Sequence, residues 1–454
     1  MSRRKRTWFI TFQLDDFLGK MSNVAALTFF LFCTVIQGQD RAPSSKEAAS
    51  RIAPTDLRCE YLSEPLGIDV EQPRLSWKLK ANDLKERGQA QTAYRVLVAG
   101  SKERLAQGKG DLWDSGEVRS AQSHLIAYGG TPLSSGMRCY WKVRVRDERG
   151  VLSSWSAPAR WTMGFLDPSD WAAQWIGSGE TFAEVKKLPP EGDYLSDPWL
   201  RKAFTLNRQP RWATICIASV GYHELHVNGE KVTDAVLMPN VADHTKRSRY
   251  VTYDITDHLR AGRNAIGLWL GTSWSVYPLY KSEDKPQTPI VAAQAQIEMP
   301  DGKVLRLVTD ETWKTYPSPN VMLGTWMFTN FGGEYYDAAK EMPNWCSADC
   351  DDTNWKPATV YQPKLTLSAE MVEPNRRIRK IEPVAVEDID GQGYRVDMGV
   401  NFAGFVELDM KGKPGDIIEL QFSEDEKKMI THKLRSAYRI GPGGRGTFRN
   451  RFNY

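Results

Sequence analysis

Apolar and polar residues alternate with a period of two over much of this chain, the pattern of half-buried β-strands. Over 139–147, Cys139, Trp141, Val143 and Val145 face one way, and Tyr140, Lys142, Arg144 and Arg146 the other. Trp77 with Leu79, and Tyr94 with Val96 and Val98, repeat the pattern, and a short helical turn is predicted at Lys102–Ala106. From 222 onward, Tyr222, Glu224 and His226 share one face while His223, Leu225 and Val227 share the other. Asn228-Gly229 then marks a hairpin, because a type I′ turn needs positive φ at both central residues. Further strands are predicted over 200–206, 250–255, 265–270, 290–297, 394–398, 406–410 and 417–422.

A chain of 454 residues is too long for one hydrophobic core. Sixteen tryptophans, frequent turn residues and few long 3.6-period segments predict an all-β protein of tandem β-sandwiches. The punctuation divides it into a targeting segment (1–38), a polar linker (39–55), and modules at 56–166, 170–360 and 374–454. In the first, Y-W-K-V-R-V-R-D followed by W-S-A-P resembles a fibronectin type III, immunoglobulin-like module. The third ends in a strand-like run with no polar tail and is expected to be truncated.

Charge narrows the function. The formal charge is +4, and the first 38 residues alone contribute +3, leaving +1 for the rest. That argues against a nucleic-acid surface, which needs a concentrated basic face. The apolar run 24–36 follows basic residues and closes at Gly38, as in an export signal, and is too short for a stable membrane span. Met21 is an alternative start, and a periplasmic or extracellular location is expected. Outside that run, five cysteines form an odd, sparse set, not a disulfide framework. Cys139 and Cys216 sit in strand patterns as buried thiols, and Cys346 and Cys350 are open to pairing or to remaining free.

Several longer motifs appear in a specific order: V-G-Y-H-E-L-H-V-N-G-E-K-V at 220–232, Y-V-T-Y-D-I-T-D-H-L at 250–259, D-M-G-V-N-F-A-G-F at 397–405 and R-F-N-Y at the end. With this order the chain resembles the N-terminal half of bacterial α-L-rhamnosidases of the glycoside hydrolase 78 type, from about Leu57 onward. One departure is G-T-S-W-S-V-Y at 271–277, where that family usually shows a tighter G-W-Y. The resemblance implies a jelly-roll second module, a concanavalin-like third module, and hydrolysis of terminal α-L-rhamnosyl linkages with inversion. Inversion requires a general acid and a general base separated enough to admit water. In the family these lie on an (α/α)₆ barrel, and no run of long helical segments after Phe165 supplies one. No catalytic residue is assigned, and the chain alone is expected to be inactive. The alternative is a non-catalytic carbohydrate-binding or adhesive protein.

Candidate sites follow. His223 and His226 are three apart on a strand, unlike the four-residue helical spacing of zinc proteases. Glu424-Asp425-Glu426 reads as a solvated strand end. Asp349, Asp351 and Asp352 offer clustered oxygens to calcium, or simply a polar loop before Trp355. Asp397, Asn401 and Gly404 read as turn and interface residues. For carbohydrate, the candidates are Asn240 and Asp243, beside His244, with Trp274 and Tyr277 as the aromatic face, against the alternative that they only pack neighbouring elements. Rhamnose-containing glycans or glycosides are the implied partners. Calcium is the only cofactor considered, with no other metal site assigned.

Overall fold

The computed structural model describes residues 49–451, apart from 193, 284, 328, 390, 392, 426, 427 and 429. Residues 1–38, expected from the sequence to be an export signal, lie outside the described residues. The fold is nearly all β, with one five-residue α-helix, Lys102–Ala106, among the described residues. Ser101 caps it by accepting from the Arg104 N–H. No described helix is long and apolar enough to cross a membrane.

The first sandwich packs a three-stranded sheet against a four-stranded one. Its strand Arg138–Asp147 alternates without interruption between half-buried and buried positions. Trp77, Trp141, Trp161 and Val143 fill the space between the sheets. The first strand, Ile52–Cys59, begins inside the stretch expected to be linker and pairs with Arg74–Ala81. Polar neighbours hide it in the sequence, but Ile52 and Pro54 point inward and close the core.

The second sandwich holds a seven-stranded sheet, centred on Ile290–Glu298 and Trp212–Val220, over a six-stranded sheet containing Tyr222–Val227, Gly262–Gly271 and Trp199–Leu206. The Asn228-Gly229 turn forms with φ of +51° and +91°, returning Glu230–Lys231 onto Tyr222–Val227. The main partner of Tyr222–Val227 is Gly262–Gly271. Arg247–Asp254, the next strand in the chain, crosses to the opposite sheet and pairs with Trp212–Val220. Leu225 and Val227 therefore meet Ile215, Ile217 and Tyr253 across the core.

The C-terminal part does not respect the boundary expected between 360 and 374. Gly333–Asp337 runs parallel to Arg435–Arg439, so one four-stranded sheet draws strands from both sides of it. Both faces of Gly333–Asp337 are largely buried, and the strand edge left by its hairpin is completed only by the later segment. The first two sandwiches are also fastened together. The Phe165 N–H donates to the Tyr250 hydroxyl (3.1 Å), and the guanidinium groups of Arg138 and Arg160 lie over the Trp212 ring.

Candidate functional site

The strand Tyr222–Val227 carries two polar networks, one on each face. On the core face, Ser219 Oγ lies 2.9 Å from His223 Nδ1, and Tyr253 Oη lies 3.0 Å from His223 Nε2. A serine beside a histidine suggests a nucleophile, but all three residues are buried and every ring nitrogen is used. Burial pushes the His223 imidazole down to about 3, so it stays neutral. The network is structural.

On the other face, Glu224 lies at a junction with the C-terminal sheets. Asp197, fully buried, accepts from the Thr272 N–H (2.8 Å) and hydroxyl (2.7 Å), from Asn320 Nδ2 (2.8 Å) and from Arg451 (3.2 Å). Arg451 also donates to the Leu270 and Trp269 carbonyls and stacks 4.0 Å from the Trp269 ring centroid. Its backbone N–H donates to Glu334 Oε1 (2.6 Å). Burial alone pushes the Glu224 carboxyl toward a higher pKa, but Arg451, His226 and Lys231 outweigh it and hold the carboxyl well below the usual carboxylate range. These carboxylates neutralise a buried arginine, and none faces a cleft as an acid–base pair.

A third cluster has a different character. After Gly271 the chain makes two successive 3₁₀ turns, Ser273–Val276 and Pro278–Tyr280, the second opened by proline. A 3₁₀ helix has three residues per turn. Trp274, Tyr277 and Tyr280 therefore come onto one edge, with successive ring centroids 5.2 Å apart and half-exposed faces. Trp326 continues the row at 5.5 Å from Trp274. At the other end His244 meets Tyr280 edge-on at 5.7 Å.

His244 is 1% exposed, and neither ring nitrogen has a hydrogen bond, although the Arg247 backbone lies near enough to favour its charged form. Burial, reinforced by the positive charge of Lys285, pushes it down to about 4. Burial likewise pushes the Lys285 ammonium down to about 8, and Nζ donates to the Ser275 carbonyl (2.6 Å). Ser275 Oγ, Gln287 Nε2 and Thr288 Oγ1, on the same loop, are also buried without partners. An unpaired buried polar group costs about 1–3 kcal/mol. This loop therefore carries several unused donors and acceptors together with the aromatic row, an arrangement suited to a hydroxyl-rich guest with an apolar face.

The residues picked from the sequence divide. Trp274 and Tyr277 do stand together. Asp243 is beside His244, but its Oδ1 is committed to the Thr245 N–H (3.0 Å) and hydroxyl (2.5 Å). Asn240 turns away to the connecting segment, where its Oδ1 accepts from Asn375 Nδ2 (2.9 Å) and its N–H donates to Glu370 (3.0 Å). Tyr280, Trp326, Lys285 and the burial of His244 were not anticipated. The 274/277/280 spacing was a usable signal for Tyr280, whereas Trp326 arrives from a distant hairpin.

Of the acidic triad, Asp352 is bound to Arg201 and to Lys314 Nζ (2.7 Å), and Asp351 caps Thr353. These residues brace the loop before Trp355 and are not turned toward a common cation. Among the described residues, no group of three potential ligands converges on a metal position. Cys59, Cys139, Cys216 and Cys346 are buried free thiols, and Cys350 is free and half-buried.

Comparison with known proteins places these elements. Residues 54–167 match the Rha78A-like, N-terminal immunoglobulin domain, and residues 208–379 match the alpha-L-rhamnosidase N-terminal domain. An alpha-L-rhamnosidase of Formosa agariphila is 35% identical over 384 residues, covering 80% of this chain and 39% of that protein. The structure of the alpha-L-rhamnosidase from Dictyoglumus thermophilum superposes with a TM-score of 0.79 at 30% identity, over 88% of this chain and 45% of its own. The Streptomyces avermitilis alpha-L-rhamnosidase, solved with L-rhamnose, shares the fold with a TM-score of 0.78 at 21% identity, over 88% and 55%. The chain thus spans about half the length of these relatives, or less. The all-β expectation, with no helical barrel among the described residues, is borne out.

Proposed function

We propose that this chain, which carries the N-terminal domains of the α-L-rhamnosidases, is the saccharide-engaging, non-catalytic portion of an exported α-L-rhamnosidase. The enzyme as a whole releases terminal α-L-rhamnosyl residues with inversion, and its acid and base are not among the described residues. In this reading the first sandwich is of fibronectin type III kind, the second a jelly roll, and residues 1–38 direct export.

The observation that carries the binding role is His244, buried with both ring nitrogens unbonded at the end of the Trp274–Tyr277–Tyr280 row. A pyranose presents an apolar C–H face to such rings and hydroxyl groups to such nitrogens. Titration calorimetry of the chain with L-rhamnose, with and without calcium, tests it. We expect binding heat that His244→Phe abolishes, and no release of rhamnose from an aryl α-L-rhamnoside. Clear hydrolysis by the purified chain would refute the non-catalytic assignment. Absence of binding heat would refute the saccharide site. A binding or adhesive protein with no catalytic partner is the second reading, and reading the genomic frame downstream of Tyr454 separates the two.

A further inference from the structure

A cleft of about 730 Å³ separates the second sandwich from the C-terminal sheets. One wall is the extended segment 375–381, and the other is formed by 402–407 with Arg449. The segment is pinned at its start, because the Val236 N–H donates to the Asn375 carbonyl (3.0 Å) and Arg376 pairs with Asp234. Beyond that anchor it crosses to the C-terminal sheets with its side chains along the cleft.

The cleft walls carry five cationic residues against one carboxylate, Glu407, which is already paired with Arg449. Arg377 and Arg379 both line the cleft and are exposed. The Arg377 guanidinium sits 4.9 Å from the Phe405 ring centroid. Partial burial in the cleft, and then the neighbouring charge of Arg449, push Arg377 below the ordinary arginine range, against the opposing pull of Glu224 and Glu407. Crowded cations of this kind are relieved by an anion. The apolar part of the wall is equally distinctive. Ile378 is 91% exposed, and the Phe402 ring is folded over Gly404, where a Cβ would stand 2.7 Å from a ring carbon. A small inorganic anion would leave the exposed Ile378 side chain uncovered.

We propose that this cleft binds a saccharide bearing an oxyanion, a uronate carboxylate or a sulfate ester, with Arg377 and Arg379 forking onto the anion and Phe402 and Ile378 covering an apolar sugar face. Guanidinium groups suit this task because their planar donors match the oxyanion geometry. The site is distinct from the His244 face, although the inference rests on reading the chain as a saccharide-engaging one.

The test is calorimetry on the full chain at low ionic strength with trigalacturonate, sulfated maltotriose, neutral maltotriose and hexaglutamate. Trigalacturonate or sulfated maltotriose should bind, and the stronger of the two identifies the anion. In the His244→Phe chain, where the aromatic face is silent, neutral maltotriose should give no heat at the same concentration. Arg377→Ala/Arg379→Ala should weaken binding at least tenfold without shifting thermal unfolding, and Arg377→Lys/Arg379→Lys should recover only part of it. Trp274→Ala should leave this binding intact, so that loss at the aromatic face and loss in the cleft are read separately. Failure of both anionic sugars to bind would overturn the proposal, as would equal binding of neutral maltotriose by the His244→Phe chain. Equal or tighter binding of hexaglutamate, with the same sensitivity to the arginine variants, would replace the saccharide with an acidic peptide surface.

Discussion

His223 and His244 are both sealed from solvent, at 3% and 1% exposure, and burial keeps both neutral. They differ in what their nitrogens touch. Both nitrogens of His223 are bonded, to Ser219 and Tyr253, whereas neither nitrogen of His244 is. Buried polar groups are normally paired within the fold, and an exception needs a reason. The contrast therefore separates scaffold from site more sharply than residue type does. The serine–histidine pair, which has the look of chemistry, is the scaffold. The loop histidine, with no motif around it, is the group on which the proposed saccharide site rests.

The strongest challenge to that contrast comes from the most fully bonded polar group. Asp197→Ala leaves Arg451 buried with one counter-charge fewer and should cost about 4 kcal/mol in denaturant unfolding. A cost under about 1 kcal/mol would mean that paired networks here are not structural. Next is the direct comparison of the two histidines. His223→Phe strands the Ser219 and Tyr253 hydroxyls and should cost about 3 kcal/mol. His244→Phe strands nothing and should stay within about 1 kcal/mol of the parent. Equal costs would erase the distinction.

Acid sharpens the same comparison from another side. Both folded-state values lie below the ordinary 6.5, so the unfolded chain takes up protons first as pH falls. The stabilisation is full above about pH 6.5 and is lost progressively down to about pH 4 for His244 and about pH 3 for His223. By pH 5 each histidine should have given up about 2 kcal/mol. Unfolding curves measured from pH 7 to pH 5 should show this loss, and each Phe variant should remove one share of it. A pH-independent stability across that window would contradict the neutral burial of both rings. The smallest effect is expected at the aromatic row. Trp274→Ala should weaken L-rhamnose binding about tenfold, or about 1.4 kcal/mol, while leaving unfolding nearly unchanged. An unchanged affinity would assign that tryptophan to packing alone.

Legibility followed the range of the interaction. The Asn228-Gly229 turn and the alternating faces of Arg138–Asp147 were readable, since a turn's φ values and a strand's period of two are set by adjacent residues. Ile52–Cys59 escaped because its polar neighbours resembled linker, and only pairing with Arg74–Ala81 makes it a strand. At the candidate face, Trp274 and Tyr277 were legible as aromatics near a loop, but Asn240 belongs to another contact. Nothing local distinguishes an asparagine that bonds Asn375 from one that faces a ligand.

By itself the sequence determined the β architecture, the order of modules and the hairpin turns, because periodicity and turn chemistry act over a few residues. Only the tertiary structure decided which sheet received Arg247–Asp254, that Gly333–Asp337 would be completed by Arg435–Arg439, and which buried histidine was left unbonded. Those outcomes depend on contacts between residues tens to hundreds of positions apart. Burial, pairing and charge compensation exist only once such distant segments are brought together.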